Sequence, residues 1–307
     1  MKKISLSLCL TTLFFFGCRS NSDVDANGVP NKVVIAMYGN SGENASSLKK
    51  AMAPLRDYFA QQLHKNVEIY YTTDYTAVVA AIHAKKADIA YLAPFSYILC
   101  AQKKDITPLV VVGKDGKATM YHSFIFVNKK SGIKTMDELK AKAKNLTLAF
   151  SDPASASGHL IPMAYLNTIG LSPDTAFKQT MFAGSHPGVI LTVASGKVDV
   201  GTSAIEYGLN PLIAKGLVDK DQFNILWTSD PIVGSPIVIR NDLNTDFIAK
   251  VKSLYLNLYK DAPEIFNNYI KVYKIDPTSL SYIAVDDSLY NGIRKIANGI
   301  KDLNIEK

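Results

Sequence analysis

From Lys32 onward, short apolar runs alternate with stretches whose apolar residues recur at helical spacing, and this alternation leaves few architectures open. "KVVIAMYG" reads as a buried strand, and residues 46–63 place Leu48, Met52, Leu55, Phe59 and Leu63 on one helical face. "VEIYYTT" then reads as a strand, "YTAVVAAIHAKK" as a helix, "ADIAYLAP" as a strand, and a further helix begins at about Phe95. Strand, helix and strand in succession close most simply as a parallel pair with the helix packed across it. The pattern therefore predicts an α/β fold with a largely parallel sheet.

Two interruptions divide the chain. At 119–128, "TMYHSFIFVN" reads as a strand after the turn-prone "GKDGK", and the alternation then restarts with "MDELKAKAK", "LTLAF", a serine-rich segment and its helix, "TMFAGS", "HPGVILTVASGK" and "VDVGTSA". At "TSDPIVGSPIVIR", two prolines and a glycine break an extended run, and after Asn244 the chain reads as helical to near its end. The economical arrangement is two α/β lobes, residues 32–118 with 236–307 and residues 119–235. Two extended crossings join them, and a ligand cleft lies between.

The N-terminus carries Lys2 and Lys3 before a mostly apolar stretch from Ile4 to Phe16, the form of an export signal. The stretch is shorter than the roughly 20 residues a membrane-spanning helix needs. "FFGC" resembles a bacterial lipobox, with Gly17 before Cys18 but Phe15 where leucine is usual. Residues 1–17 are thus expected to be a lipoprotein-type signal peptide, with lipidation at Cys18 and a flexible tether over 18–31. A plain secretory signal is the rival reading. After processing only Cys100 remains as a free thiol, which rules out a disulfide within the mature chain and a thiolate metal cluster. The net charge of +7 is spread over lysines, and the arginines are Arg19, Arg56, Arg240 and Arg294. A nucleic-acid binder would show a clustered basic stripe, and none is visible.

The segment with most chemistry is "SDPASASGHLIP", residues 151–162, where small hydroxyl residues and a glycine precede an apolar helical run. If a helix starts near Ser155, its first N–H groups lack intrahelical partners and carry the positive end of the helix dipole, which suits an oxyanion. Ser155 and Ser157 can donate hydroxyl protons, while Ala156 and Gly158 permit close approach. The bland alternative is that Asp152 or Ser155 merely caps the helix. Catalysis finds little support. The chain has no G-x-x-x-x-G-K-[ST], G-x-S-x-G or H-E-x-x-H motif, and His64, His83, His122 and His159 show no metal-ligand spacing. Ser155 and His186 have no evident third partner. No cofactor or metal is expected, and the chain is read as a non-enzyme.

"TDYTAVVAAI", "ADIAYLAPFSY", "SDPASASGHLIP", "GSHPGVILTVASGKVDVG" and "GSPIVIR" occur in an order that resembles phosphonate-binding proteins of the PhnD type, the solute-binding components of ATP-driven importers. The resemblance covers about Lys32 to beyond Arg240. It implies a type II periplasmic-binding-protein fold closing on a small phosphorus oxyanion, delivered to an ABC permease and its ATPase. It further implies a monomer on the periplasmic or cell-surface side of a bacterial membrane. By the same resemblance the ligand-binding positions are Tyr75, Tyr121, Ser155, Ala156, Ser157, His186, Glu206 and Ser235. Ala156 stands where related proteins have threonine. Glu206 matches a carboxylate that receives an ammonium group in aminoalkylphosphonate binders, and Ser235 replaces its aspartate partner. Phosphate, phosphite, methylphosphonate and aminoalkylphosphonates all stay open. So do a sensor of the same fold coupled to a membrane receptor and an importer component for a non-phosphorus ligand.

Overall fold

A computed structural model describes residues 23–39, 45–72, 74–272 and 277–300. The expected signal peptide and the expected lipidation site, Cys18, lie outside the described residues. The first half runs β1 (Lys32–Tyr38), α1 (Ala45–Leu63), β2 (Asn66–Thr72), α2 (Tyr75–His83), β3 (Ile89–Tyr91), α3 (Pro94–Ala101), β4 (Ile106–Lys114) and β5 (Lys117–Ala118). A short strand, β6 (Met120–Tyr121), crosses to a second half. That half comprises β7 (Ser123–Asn128), α4 (Met136–Lys142), β8 (Thr147–Phe150), α5 (Ile161–Thr168), α6 (Pro173–Ala176), β9 (Gln179–Phe182), α7 (His186–Ala194), β10 (Val200–Ala204), α8 (Asn210–Ala214) and β11 (Phe223–Thr228). The chain returns through β12 (Ile232–Val233) to β13 (Pro236–Arg240), α9 (Thr245–Asp261), α10 (Pro263–Val272), β14 (Leu280–Ala284) and α11 (Asn291–Gly299).

The strands form one sheet in the order β14-β4-β13-β3-β1-β2, with β5 on β4, and a second in the order β11-β7-β10-β8-β9. Neither is as parallel as the alternation predicts. β1 pairs in parallel with β2 and β3, and β8 with β9 and β10, whereas β7 and β13 run against both of their neighbours. Each of these reversed strands follows a crossing, so it enters its sheet from the opposite end. The C-terminal region also departs from an all-helical reading, because β14 pairs antiparallel with β4. Leu280 and Tyr282 alternate inward on it, a two-residue period that a helix would scatter.

Sheet two is covered on both faces. In β7, Phe124 and Phe126 join a cluster with Val189, Ile190 and Val193 of α7, while Ile125 and Val127 pack with Leu139 and Leu148 on the other face. The core of sheet one reaches across the crossing to take in Tyr121, Ala154, Ala156, Leu160 and Ile161, so the serine segment is buried by both halves.

β6 and β12 pair antiparallel, with Tyr121 opposite Ile232 and Met120 opposite Val233. Neighbouring strand residues face opposite ways. Tyr121 is 4% exposed and turned inward, whereas Met120 is 50% exposed. Met120 lines an outer groove of about 440 Å³ with Ile161, Tyr165, Trp227 and Ile293. Within it the Tyr165 and Trp227 rings stack at 4.2 Å with an interplanar angle of 13°.

From Asp23 the segment expected as a tether is folded. Asp25 Oδ1 accepts from Asn27 N–H and Val29 N–H at 2.9 and 3.0 Å, and Gly28 O accepts from Asn244 N–H at 3.0 Å. Gly28 has φ +75°, which suits a residue without a side chain at this tight turn.

Arg240 closes β13 with its side chain buried, holding Asp242 Oδ1 through Nε at 3.0 Å and lying 3.7 Å from Asp88. Asp88 in turn accepts from Val34 N–H of β1 at 2.8 Å. Removing the guanidinium leaves a buried carboxylate uncompensated. Arg240→Ala is therefore expected to lower unfolding free energy by about 3–5 kcal/mol, measured by urea titration.

Candidate functional site

The serine segment leaves β8 and enters a widened helical turn. Leu160 N–H donates to Ser155 O at 3.0 Å and Ile161 N–H to Ala156 O, so Ala156–Leu160 forms a π turn that continues into α5. Pro162 accounts for the widening. A proline ring clashes with the carbonyl four residues back and offers no N–H to it. That carbonyl belongs to Gly158, and it is turned out of the helix to accept from Ser151 N–H at 3.0 Å and Thr202 Oγ at 2.8 Å. A second π turn, Ile205–Leu209, precedes Pro211 in the same way. Gly158 is obligatory at this point, since a Cβ there would lie 1.7 Å from Ser151 Oγ and 3.1 Å from His186 Cε1.

Ser155 caps the turn, its Oγ accepting from Gly158 N–H at 3.0 Å. Capping and ligand binding are compatible, because a hydroxyl that accepts one bond still has a proton to donate. Ser157 Oγ lies 3.5 Å from His186 Nε2 and bonds the Tyr121 hydroxyl, and Ser157 O accepts from Ser123 Oγ at 2.5 Å. Ala156 is buried between these two serines. The turn thus directs the backbone of Ala156 and Ser157 and two hydroxyls to one place.

His186 opens α7 after Ser185, whose Oγ accepts from Gly188 N–H at 3.1 Å. Its Nδ1 meets Ser203 Oγ at 3.0 Å. Burial pushes its pKa down to about 4, so the imidazole is neutral near pH 7. Tyr75, at the start of α2, packs its ring edge-on against Tyr38 at 4.0 Å, and Tyr38 lies 5.6 Å from Tyr91. Tyr121 and Tyr207 rings meet at 4.9 Å. Burial is the largest cause raising the pKa of Tyr75, Tyr91, Tyr121 and Tyr207, and for Tyr75, Tyr121 and Tyr207 neighbouring tyrosines add to the rise, so all four stay protonated donors.

Of the residues singled out from sequence, Tyr121, Ser155, Ala156, Ser157 and His186 cluster directly, with Tyr75 near Tyr121 and beside Asp152 of the serine segment. Glu206 and Ser235 border the same tyrosines and are each engaged by another side chain. Glu206 accepts from His122 N–H at 2.8 Å and meets His122 Nδ1 at 2.8 Å. Ser235 bonds the Tyr91 hydroxyl. Tyr38, Tyr91, Ser203, Tyr207 and His122 were not singled out. All except His122 lie at or just past strand ends where open α/β sheets place ligands, a signal present in "AMYG", "IAYLAP" and "TSAIEYG".

Two outcomes test this construction. Gly158→Ala is expected to cost about 1–3 kcal/mol of stability by overpacking against Ser151. For His186 the folded pKa is depressed, so its contribution is present above the ordinary value of 6.5 and is lost as pH falls toward 4. The stability difference between wild type and His186→Gln should shrink by about 2–3 kcal/mol between pH 7.5 and pH 4.5, read by urea unfolding at each pH.

A model of the ABC-transporter phosphonate periplasmic substrate-binding proteins matches residues 37–290. The phosphate-import protein PhnD of Mycolicibacterium smegmatis is 28% identical over 96% of this chain and 95% of its own length. The phosphonates-binding periplasmic protein of Escherichia coli is 30% identical over 73% of this chain and 65% of its own. A binding-protein component of an ABC phosphonate transporter from Pseudomonas aeruginosa superposes with a TM-score of 0.74 at 26% identity, covering 87% of this chain and 86% of that one. The α/β architecture is that of the periplasmic binding proteins.

Proposed function

The chain belongs to the family of periplasmic phosphonate-binding proteins of ABC transporters, and on that premise we propose that it captures a small phosphorus oxyanion by closing its two halves. Residues 32–118 with 236–307 form one lobe and 119–235 the other. The ligand, a phosphonate, phosphite or phosphate, sits at the head of the Ala156–Leu160 turn. One observation carries this reading. Ser155, Ser157, Tyr121 and neutral His186 converge at the amide end of a buried helical turn, with Tyr75 brought in from the other half.

Neutral donors suit this task. A dehydrated oxyanion is held by oriented N–H and O–H dipoles, which also let it leave when the halves part, whereas a buried counter-charge would have to be desolvated each time. Each hydroxyl bonded to a charged oxygen contributes about 1.5–3 kcal/mol. With Glu206 held by His122 and Ser235 by Tyr91, neither side chain awaits an ammonium group, which favours a ligand without an amine. The relatives act as transport components and not as enzymes, and this chain is read the same way. Export, with a lipid on Cys18, tethers it outside the cytoplasmic membrane, where the closed form is presented to a permease and its ATPase. Among the described residues no helix is long and apolar enough to cross a membrane.

Calorimetric titration of protein beginning at Ser20, freed of ligand by unfolding and refolding, tests the assignment. Phosphate, phosphite, methylphosphonate and 2-aminoethylphosphonate form the panel. Micromolar or tighter binding of one of the first three is expected, weakened about 10–100-fold in Ser157→Ala. Silence from all four would sink the phosphorus assignment.

A further inference from the structure

Residues 151–154 leave β8 of the second sheet, yet two of their acceptors, Asp152 Oδ2 and Ala154 O, are met by the first half. Asp152 Oδ2 accepts from Tyr75 N–H, the first amide of α2, at 3.3 Å. Ser96 Oγ, in the first turn of α3, donates to Ala154 O at 3.0 Å. The other carboxylate oxygen of Asp152 accepts from Ala154 N–H at 2.7 Å, which fixes the group's orientation. Asp152 is 2% exposed, a costly place for a carboxylate. Asp74 already caps α2 within its own half by accepting from Ala77 N–H at 2.7 Å, so the bond from Asp152 is a second cap supplied from across the cleft.

Resting on the capture reading above, we infer that Asp152 is a positioning residue for ligand binding: its carboxylate latches α2 of the first half onto the segment that carries Ser155 and Ser157. Two residues, Pro153 and Ala154, separate the latch from the first anion-binding hydroxyl. Gripping the anion and drawing in the other half are then one event, and the latch bond exists only while the halves are together.

The carboxylate's surroundings give this latch a pH signature. Asp74 and Tyr75 face it from α2, Tyr38 from β1, Ser185 from the head of α7, and His159 reaches the same turn through Pro153 O. None of these is cationic near neutral pH, since His159 is itself lowered by burial. Desolvation is the largest effect and pushes Asp152 up to about 6, against the Ala154 and Tyr75 amides, which lower it. With the halves apart the carboxylate meets water, the desolvation that raised it is relieved, and its pKa falls back toward the ordinary carboxylate range. The raised pKa belongs to the closed form, so closing takes up a proton between about pH 6 and 4 and is favoured as pH falls through that window. Above pH 7 both forms are ionised and the effect vanishes.

Wild type, Asp152→Ala and Asp152→Asn are titrated with phosphate, phosphite and methylphosphonate at pH 7.5 and pH 5.0. Dividing wild-type by variant affinity at each pH cancels the ligand's own titration. At pH 7.5 Asp152→Ala, which accepts from neither amide, should bind about tenfold more weakly, and Asp152→Asn, uncharged and still able to accept from one amide, should lose less. At pH 5.0 the wild-type advantage should grow about another tenfold. Unchanged affinities, or an equal loss at both pH values, overturn the latch. Should wild type bind none of the three, the capture reading fails, and the latch is judged on Tyr75 amide exchange in the ligand-free protein. Faster exchange in Asp152→Ala than in wild type supports it, and equal rates overturn it.

Discussion

The carbonyl of Gly158 faces away from its own helix, held by Ser151 N–H at the end of β8 and by Thr202 Oγ of β10. Much else depends on this displacement. It is imposed by Pro162, permitted by the absence of a side chain at Gly158, and it anchors the helix head to two strands of the second sheet. A widened turn starts one residue earlier than an α-helix would, which leaves the amides around Ala156 and Ser157 at its open end. The same anchor presses the glycine against Ser151 and His186, so the imidazole has little room to be anywhere else. The geometry of the site is thus set by backbone connections in the second half, and the core of the first half packs against it.

Electrostatics explains why that surface holds so few charges. His186 is neutral because burial makes its cationic form costly, and the tyrosines keep their protons for the same reason. Each group can donate a hydrogen bond without bringing a counter-ion that must itself be solvated. The carboxylates nearby are all occupied: Asp152 by the Tyr75 and Ala154 amides, Glu206 by His122. An oxyanion bound as proposed would meet donors in front and satisfied acceptors at the margin.

How much of this was readable in the amino acids varies with the kind of interaction. The alternation of strands and helices, the two crossings and the hydroxyl-rich helix head are local patterns and could be read directly. The strand β14 could not, because its five residues become a strand only by pairing with β4. The reversed directions of β7 and β13 follow from where each crossing re-enters its sheet, which is likewise a tertiary fact. Pro162 and Pro211 were visible as residues, but their effect on the preceding turns depends on what captures the released carbonyl. Glu206 stands just past the end of β10, yet nothing nearby in sequence announced that His122, adjacent to Tyr121 on the crossing, would take its carboxylate. Tyr38, Tyr91 and Tyr207 converge with Tyr75 and Tyr121 only once separate strands lie side by side.

Trp227 is the single tryptophan in the chain, and it lies flat on Tyr165 in the groove behind the crossing strands. Its partner belongs to α5, the helix that continues from the serine segment, and across the groove stands Ile293 of α11. All indole absorption and emission of the molecule therefore originates from one ring on the side of the crossing opposite Tyr121. The protein carries a built-in optical reporter of its crossing strands, undiluted by any second indole, whose colour and brightness follow the stacking of one pair of rings and the water admitted beside them.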